Sequence, residues 1–207
     1  MEKKFYIGIL LIAVGVFSLG TIMYRATIAD TSMASQEVAS SSLAAAADEA
    51  LKQSHDFPVM AAPKKIEIPA LGIDTEVLEV GITAGGNMAV PKSFTKVGWY
   101  KYGSIPGNDG NAVIAGHVDN GLSLAGVFKH LNEIKIGDMV TISDENGSIS
   151  TFQVTATSSI DYQSNDTNEI FSGTGYPTLR LITCEGDWVQ AHKTYDKRLI
   201  VTASRIQ

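Results

Sequence analysis

After Pro63 the sequence breaks into short β-branched runs, each set off by Gly, Asn or Pro, and this spacing leaves no room for long helices. The pattern predicts an all-β sandwich or barrel, with strands at residues 65–68, 76–80, 111–117, 139–143, 148–157, 178–184 and 197–204. Within 151–157 the alternation is strict. Phe152, Val154 and Ala156 take one face, and Thr151, Gln153, Thr155 and Thr157 the other, so one face is core and one solvent. Asn146-Gly147 predicts a type I′ hairpin, because both residues tolerate the positive φ that turn requires. Residues 126–131 and 168–171 read as short helical turns.

The N-terminal part obeys other rules. Residues 5–24 carry no charge, and as a helix they reach about 30 Å, the thickness of a bilayer core. Lys3 and Lys4 precede this run, whereas Arg25 is soon followed by Asp30 and Glu37. The positive-inside rule then puts the N-terminus in the cytoplasm and the rest of the chain outside, with Tyr6 and Tyr24 as interfacial anchors. A cleaved signal peptide, cut near Ala34 or in the Ala-rich stretch 44–47, is the competing reading, and both export the remainder. Residues 26–62 are rich in Ser, Ala, Thr and acids and read as a tether. The expected organisation is therefore a cytoplasmic stub and transmembrane helix at 1–25, a linker at 26–62 and one domain at 63–207. A net charge of −6, with no Lys/Arg cluster after Arg25, excludes nucleic acid as a partner.

Cys184 is the single cysteine, so an intrachain disulfide and a Cys-rich zinc site are both excluded. The thiol is either inert packing or chemistry. An unpaired thiol outside the cell is open to oxidation, which makes Cys184 a candidate nucleophile. It closes the expected strand 178–184, just as His117 closes 111–117 and Arg198 opens a run ending near Ala203. A thiol needs a nearby base or cation to ionise, and imidazole supplies this and later protonates a leaving amine. A guanidinium, always charged and rich in N–H groups, suits the oxyanion formed on attack at an amide. Residue types and spacing alone make this set plausible and no more.

The other histidines have plainer readings: His130 as a surface or packed residue, His55 as part of the tether. His192, in an expected loop after Cys184, is the one rival base. Asp119 is read as a turn residue or as an orienting group for His117 or a substrate. Arg205, near the C-terminus, is expected to be solvated, and Arg180 to pair with a surface acid.

Several segments together resemble the sortase family: Gly98-Trp99-Tyr100, Ile105-Pro106-Gly107, the run from Gly110 through Gly116-His117-Val118-Asp119, Val127 to Leu131, Gly137-Asp138, Leu181-Ile182-Thr183-Cys184, and Arg198. The resemblance spans residues 64–204, and its Gly-Trp-Tyr and Gly-His-Val-Asp details look most like class F, with class D or E as alternatives. It implies a closed eight-stranded β-barrel, with the missing strand near 97–100. It also implies a cysteine transpeptidase with Cys184, His117 and Arg198 in the catalytic positions. Arg180 departs from the family's usual Thr four residues before the cysteine.

The implied reaction cleaves the Thr–Gly bond of an LPXTG-like sorting signal on a surface protein. An acyl thioester then passes to an amine acceptor such as a peptidoglycan precursor or a pilin-type amine. Thr183 is expected to offer substrate a hydroxyl contact, the N–H of Glu185 to help hold the oxyanion, and Trp188 to line the substrate groove or cap the barrel. No cofactor is implied as a rule. Some sortases bind calcium, for which Asp144, Glu145, Asp161, Asp166 and Glu169 supply oxygens, but none of these forms an EF-hand pattern. A papain-like or L,D-transpeptidase enzyme would show motifs that this chain lacks. A non-catalytic surface module retaining the fold is the remaining alternative.

Overall fold

The computed structural model describes residues 57–119, 124–164, 167–173 and 175–206. The expected membrane helix, and the tether as far as residue 56, lie outside them. Among the described residues no helix is long and apolar enough to cross a membrane.

Eight strands form: β1 (Pro63–Ile68), β2 (Ile73–Val80), β3 (Val97–Tyr100), β4 (Asn111–Ala115), β5 (Met139–Asp144), β6 (Ile149–Asp161), β7 (Thr178–Val189) and β8 (Thr194–Arg205). They close a barrel in the order β1-β2-β3-β4-β7-β8-β6-β5. All pairings are antiparallel except β2 with β3 and β4 with β7. Each expected strand is present, and β3 supplies the eighth. β6 and β7 end later than their sequence suggests, at Asp161 and Val189, and β8 begins earlier, at Thr194, because β6 and β7 both pair with β8 beyond the barrel wall. β2 also begins earlier, at Ile73, where it pairs with Ile68 of β1.

Alternation decides which side chains meet. On β7, Leu179, Leu181 and Thr183 are buried, while Arg180, Ile182 and Cys184 are only partly covered. On β8, Leu199, Val201 and Ala203 join the barrel core with Phe128, Leu131, Ile142, Phe152 and Val154. Fully burying such side chains stabilises the fold by about 1.5–3 kcal/mol each. A second apolar cluster covers the outer face. Val113, Ile170 and Ile200 form it with Tyr100, Phe171 and Ile182, beneath the four-residue helix Asn168–Phe171. Asn111 Nδ2 fastens that helix by donating to Glu169 O at 2.7 Å. The turns at 127–130 continue into a 3-10 helix at Leu131–Glu133, slightly later than expected.

Three local expectations change. The 146–147 hairpin is not type I′: among the described residues only Lys193 combines a side chain with positive φ, so Asn146 does not, and Gly147 alone takes φ 84°. The cause is Asp144, whose carboxylate accepts the N–H groups of Asn146 and Ser148 at 2.9 and 2.8 Å and imposes its own turn. The folded unit also starts at Phe57, ahead of the expected boundary at residue 63. Met60 is buried, and its N–H and C=O pair with the Asn108 side chain at 2.8 and 3.1 Å. Arg205, expected in solvent, is 0% exposed. It alternates inward behind Ala203, donates to the carbonyls of Pro58 and Gly107, and lies 4.3 Å from the Phe57 ring centroid.

Candidate active site

Parallel pairing of β4 with β7 brings the two chemical residues together. Ala115 is in register with Ile182, and Gly116 N donates to Ile182 O at 3.0 Å. Thr183 then donates its hydroxyl to Gly116 O at 2.9 Å, so His117 leaves β4 beside Cys184. The Thr183 hydroxyl, expected to meet substrate, donates its hydrogen to this tie, and Thr183, at 5% exposure, lines the smaller of two clefts beside Cys184. Close approach explains two glycines. A Cβ on Gly126 would stand 2.3 Å from His117 O, and one on Gly116 would stand 2.5 Å from the Phe128 ring. Without them the segment 124–128 can pack on His117 and donate Phe128 N to His117 O at 2.9 Å.

Cys184 and Arg198 are cross-strand partners on the β7–β8 ladder. Neither is terminal in its strand, contrary to expectation, because the ladder continues as far as Val189 and Thr194. Just past the cysteine the register shifts between Glu185 and Trp188, where Gly186 takes φ 84° and Asp196 Oδ1 accepts Asp187 N at 2.7 Å. The Arg198 guanidinium bends along its own strand. Nη1 donates to Tyr195 O and Lys197 O at 2.9 and 2.8 Å, and Nη2 to Thr194 Oγ1 at 2.9 Å. Among the described residues it makes no ion pair, and its five N–H groups leave donors to spare.

His117 is held by the β2–β3 connection. Its Nε2 lies 2.7 Å from Pro91 O, and the Phe94 ring packs against it at 4.6 Å between centroids. A carbonyl only accepts, so Nε2 carries a hydrogen and Nδ1 is the nitrogen left for chemistry.

Burial pushes the Cys184 thiol above its usual pKa; the Arg198 charge pulls it back and Asp119 adds a smaller push upward. Asp119 is bound by Tyr195, whose hydroxyl donates to Oδ2. That bond, foremost, pushes the Tyr195 phenol up to about 12. Trp188, 50% exposed, meets Tyr195 edge to face at 5.4 Å. Cys184 lies between two clefts. One of about 570 Å³ is lined by Phe94, His117, Asp119, Trp188 and Tyr195 among others, and one of about 340 Å³ by Phe128, His130, Glu133, Glu185 and Leu199 among others.

The structure therefore groups Cys184, His117, Arg198, Asp119, Glu185 and Trp188. His192 stands outside both clefts, exposed in the β7–β8 turn and 6.0 Å from the Tyr162 ring. His130 is exposed and bonded to Glu133 at 2.7 Å, on the rim of the smaller cleft. Arg180 donates to Thr202 Oγ1 and, at 3.5 Å, to Glu169 O rather than to an acid. Pro91, Phe94 and Tyr195 were not legible as site residues. Only Tyr195, an aromatic shortly before Arg198 in the same strand, left any sign. Among the described residues no three His, Cys, Asp or Glu side chains are placed to hold a metal. Of the acids considered for calcium, Asp144 and Asp161 already bind backbone N–H groups.

Residues 66–206 match the family model described as the Sortase domain. The chain belongs to the sortase family. No curated protein matches it. Solved structures similar to this sortase include sortase C1 of Streptococcus agalactiae, 23% identical over 70% of this chain and 67% of that one, at TM-score 0.54. Sortase C1 of Streptococcus suis is 25% identical over 70% and 74%, at TM-score 0.53. Sortase A of Listeria monocytogenes is 20% identical over 71% and 88%, also at TM-score 0.53. Family membership makes this sortase a cysteine transpeptidase, and its barrel presents the only cysteine in an open cleft beside a histidine.

Proposed function

We propose that this sortase cleaves an LPXTG-like sorting signal at its Thr–Gly bond through a thioester on Cys184 and passes the acyl group to an amine. The observation that carries this reading is the placement of Cys184, in register with Arg198 and sharing one cleft with His117. The Cys184 thiolate adds to the carbonyl carbon. The oxyanion draws on Arg198 N–H groups and on the N–H of Glu185. His117, as imidazolium, gives its Nδ1 proton to the departing amine while Nε2–H stays on Pro91 O. The Thr–Gly C–N bond breaks, leaving the thioester. An amine then forms a new C–N bond as the C–S bond breaks.

Further features belong to the same proposal. Residues 5–24 anchor the enzyme with its N-terminus inside, and the barrel works outside on surface proteins that carry the signal. The amine is a cell-wall peptide or pilin-type group. A class F assignment is favoured by Gly98-Trp99-Tyr100 and Gly116 to Asp119. The test incubates the full chain with a quenched LPXTG-type peptide and an amine, and identifies products by mass spectrometry. Cleavage at Thr–Gly with an acyl adduct on Cys184 is expected, and equal turnover by Cys184→Ala would end the proposal.

A further inference from the structure

The 570 Å³ cleft on the His117 side combines a carboxylate, Asp119, with the aromatic rings of Phe94, Trp188 and Tyr195. Asp119 spends Oδ2 on the Tyr195 hydroxyl, and among the described residues Oδ1 has no hydrogen-bond donor and the carboxylate no ion pair. Trp188 and Tyr195 pack edge to face, with the indole half exposed. An anionic oxygen sharing a cleft with aromatic rings is chemistry suited to a primary ammonium group, by charge and by cation–π attraction. Lys193 lines the same cleft, and its like charge opposes a second cation close to it.

The reaction says which ammonium this is. The acid that protonates the leaving amine is the base for the incoming one, so the acceptor must arrive on the side of the thioester that faces His117. That is the cleft holding Asp119. We propose that Asp119, with Trp188 and Tyr195, forms the subsite for the ammonium group of the acceptor amine, an inference that rests on the transpeptidase reading above. The bound R–NH3+ gives one proton to neutral His117. The free amine then adds to the thioester carbonyl, the C–N bond forms, and the C–S bond breaks to leave the Cys184 thiolate. The second N–H proton goes to water. The thiolate and imidazolium needed for the next cycle are thereby restored.

Two measurements on the full chain decide this. The first titrates the Trp188 indole N–H signal by NMR with glycinamide, which carries an ammonium, and with N-acetylglycinamide, which does not. Glycinamide is expected to shift it saturably and the acetylated compound is not. Asp119→Asn, which keeps an oxygen for the Tyr195 hydroxyl, should weaken glycinamide binding at least about fivefold. Equal shifts by both compounds, or unchanged affinity in the variant, overturn the proposal.

The second compares nucleophiles on the acyl-enzyme. In Asp119→Asn the ratio of aminolysis to hydrolysis should fall about tenfold with glycinamide and much less with hydroxylamine, which is neutral at the assay pH. Equal loss for both nucleophiles also overturns it. If no acyl adduct forms on Cys184, the reaction reading fails, whereas the indole titration still decides the ammonium subsite.

Discussion

The Nε2 of His117 donates to the carbonyl oxygen of Pro91 at 2.7 Å, which ties the imidazole to the β2–β3 connection rather than to an acid. Phe94, from the same connection, covers the ring at 4.6 Å. Neutral His117 is therefore expected as the Nε2–H tautomer, with Nδ1 as its basic nitrogen, and 15N chemical shifts would read this directly. Phe94→Ala should loosen the ring and lower kcat about tenfold, with Phe94→Tyr restoring most of it. A pyridine-type Nε2 in the wild type would contradict the assignment.

The Cys184 thiol is raised by burial, and two charges act on it in opposite senses. Arg198 stabilises the thiolate, so Arg198→Ala should move the alkylation pKa of Cys184 further up. Asp119 opposes the thiolate, so Asp119→Asn should move it down. Iodoacetamide rates followed against pH give both shifts. The wild-type midpoint should lie above the ordinary thiol value of about 8.5. If turnover uses the proposed thiolate–imidazolium pair, it should pass through a maximum. A monotonic rise to high pH would count against the pairing.

Arg198 is stabilised along its own strand by bonds to Tyr195 O, Lys197 O and Thr194 Oγ1. If it also serves the oxyanion, Arg198→Ala should lower kcat by about 10²- to 10³-fold, the usual cost of losing such a donor. Arg198→Lys keeps the charge but not the fork of donors, and should recover only part of the rate. Thermal melting separates the roles: a variant that loses rate in proportion to its folded fraction would mark a structural residue only.

How much of this was legible in the sequence depended on the range of the cause. Strands such as β4 and β7 were readable because alternation and β-branching are local. Cys184 was readable because it has no rival. Pairing register was not local: nothing in Leu181-Ile182-Thr183-Cys184 says that Thr183 will tie Gly116, or that the ladder will carry on past the cysteine. Arg205 misled for a related reason. Its inward parity follows from Leu199, Val201 and Ala203, but a guanidinium at a barrel end also needs acceptors, and these come from far in sequence: Pro58 O and the Phe57 ring from the returning segment, and Gly107 O. Pro91 and Phe94 act through a backbone oxygen and a ring contact, neither of which leaves a motif.

Asp144 offers a test of that returning segment. It is 4% exposed; its Oδ2 accepts Ala61 N at 2.9 Å, and its Oδ1 accepts Asn146 N and Ser148 N. The bond from Ala61 is the foremost cause holding its carboxyl below the usual range, against an opposing push from burial. Because the folded pKa lies below the unfolded value of about 3.9, the carboxylate contributes stability that is fully present above that value. The contribution disappears as pH falls through the folded pKa. Asp144→Asn replaces one acceptor oxygen with an NH2 donor facing another donor, so it should lower the melting temperature at neutral pH. The gap to wild type should narrow as pH falls through the folded pKa, below which the wild-type carboxyl is itself protonated. A gap that stays constant as the pH falls would show that the negative charge itself contributes nothing and that only the lost acceptor oxygen matters.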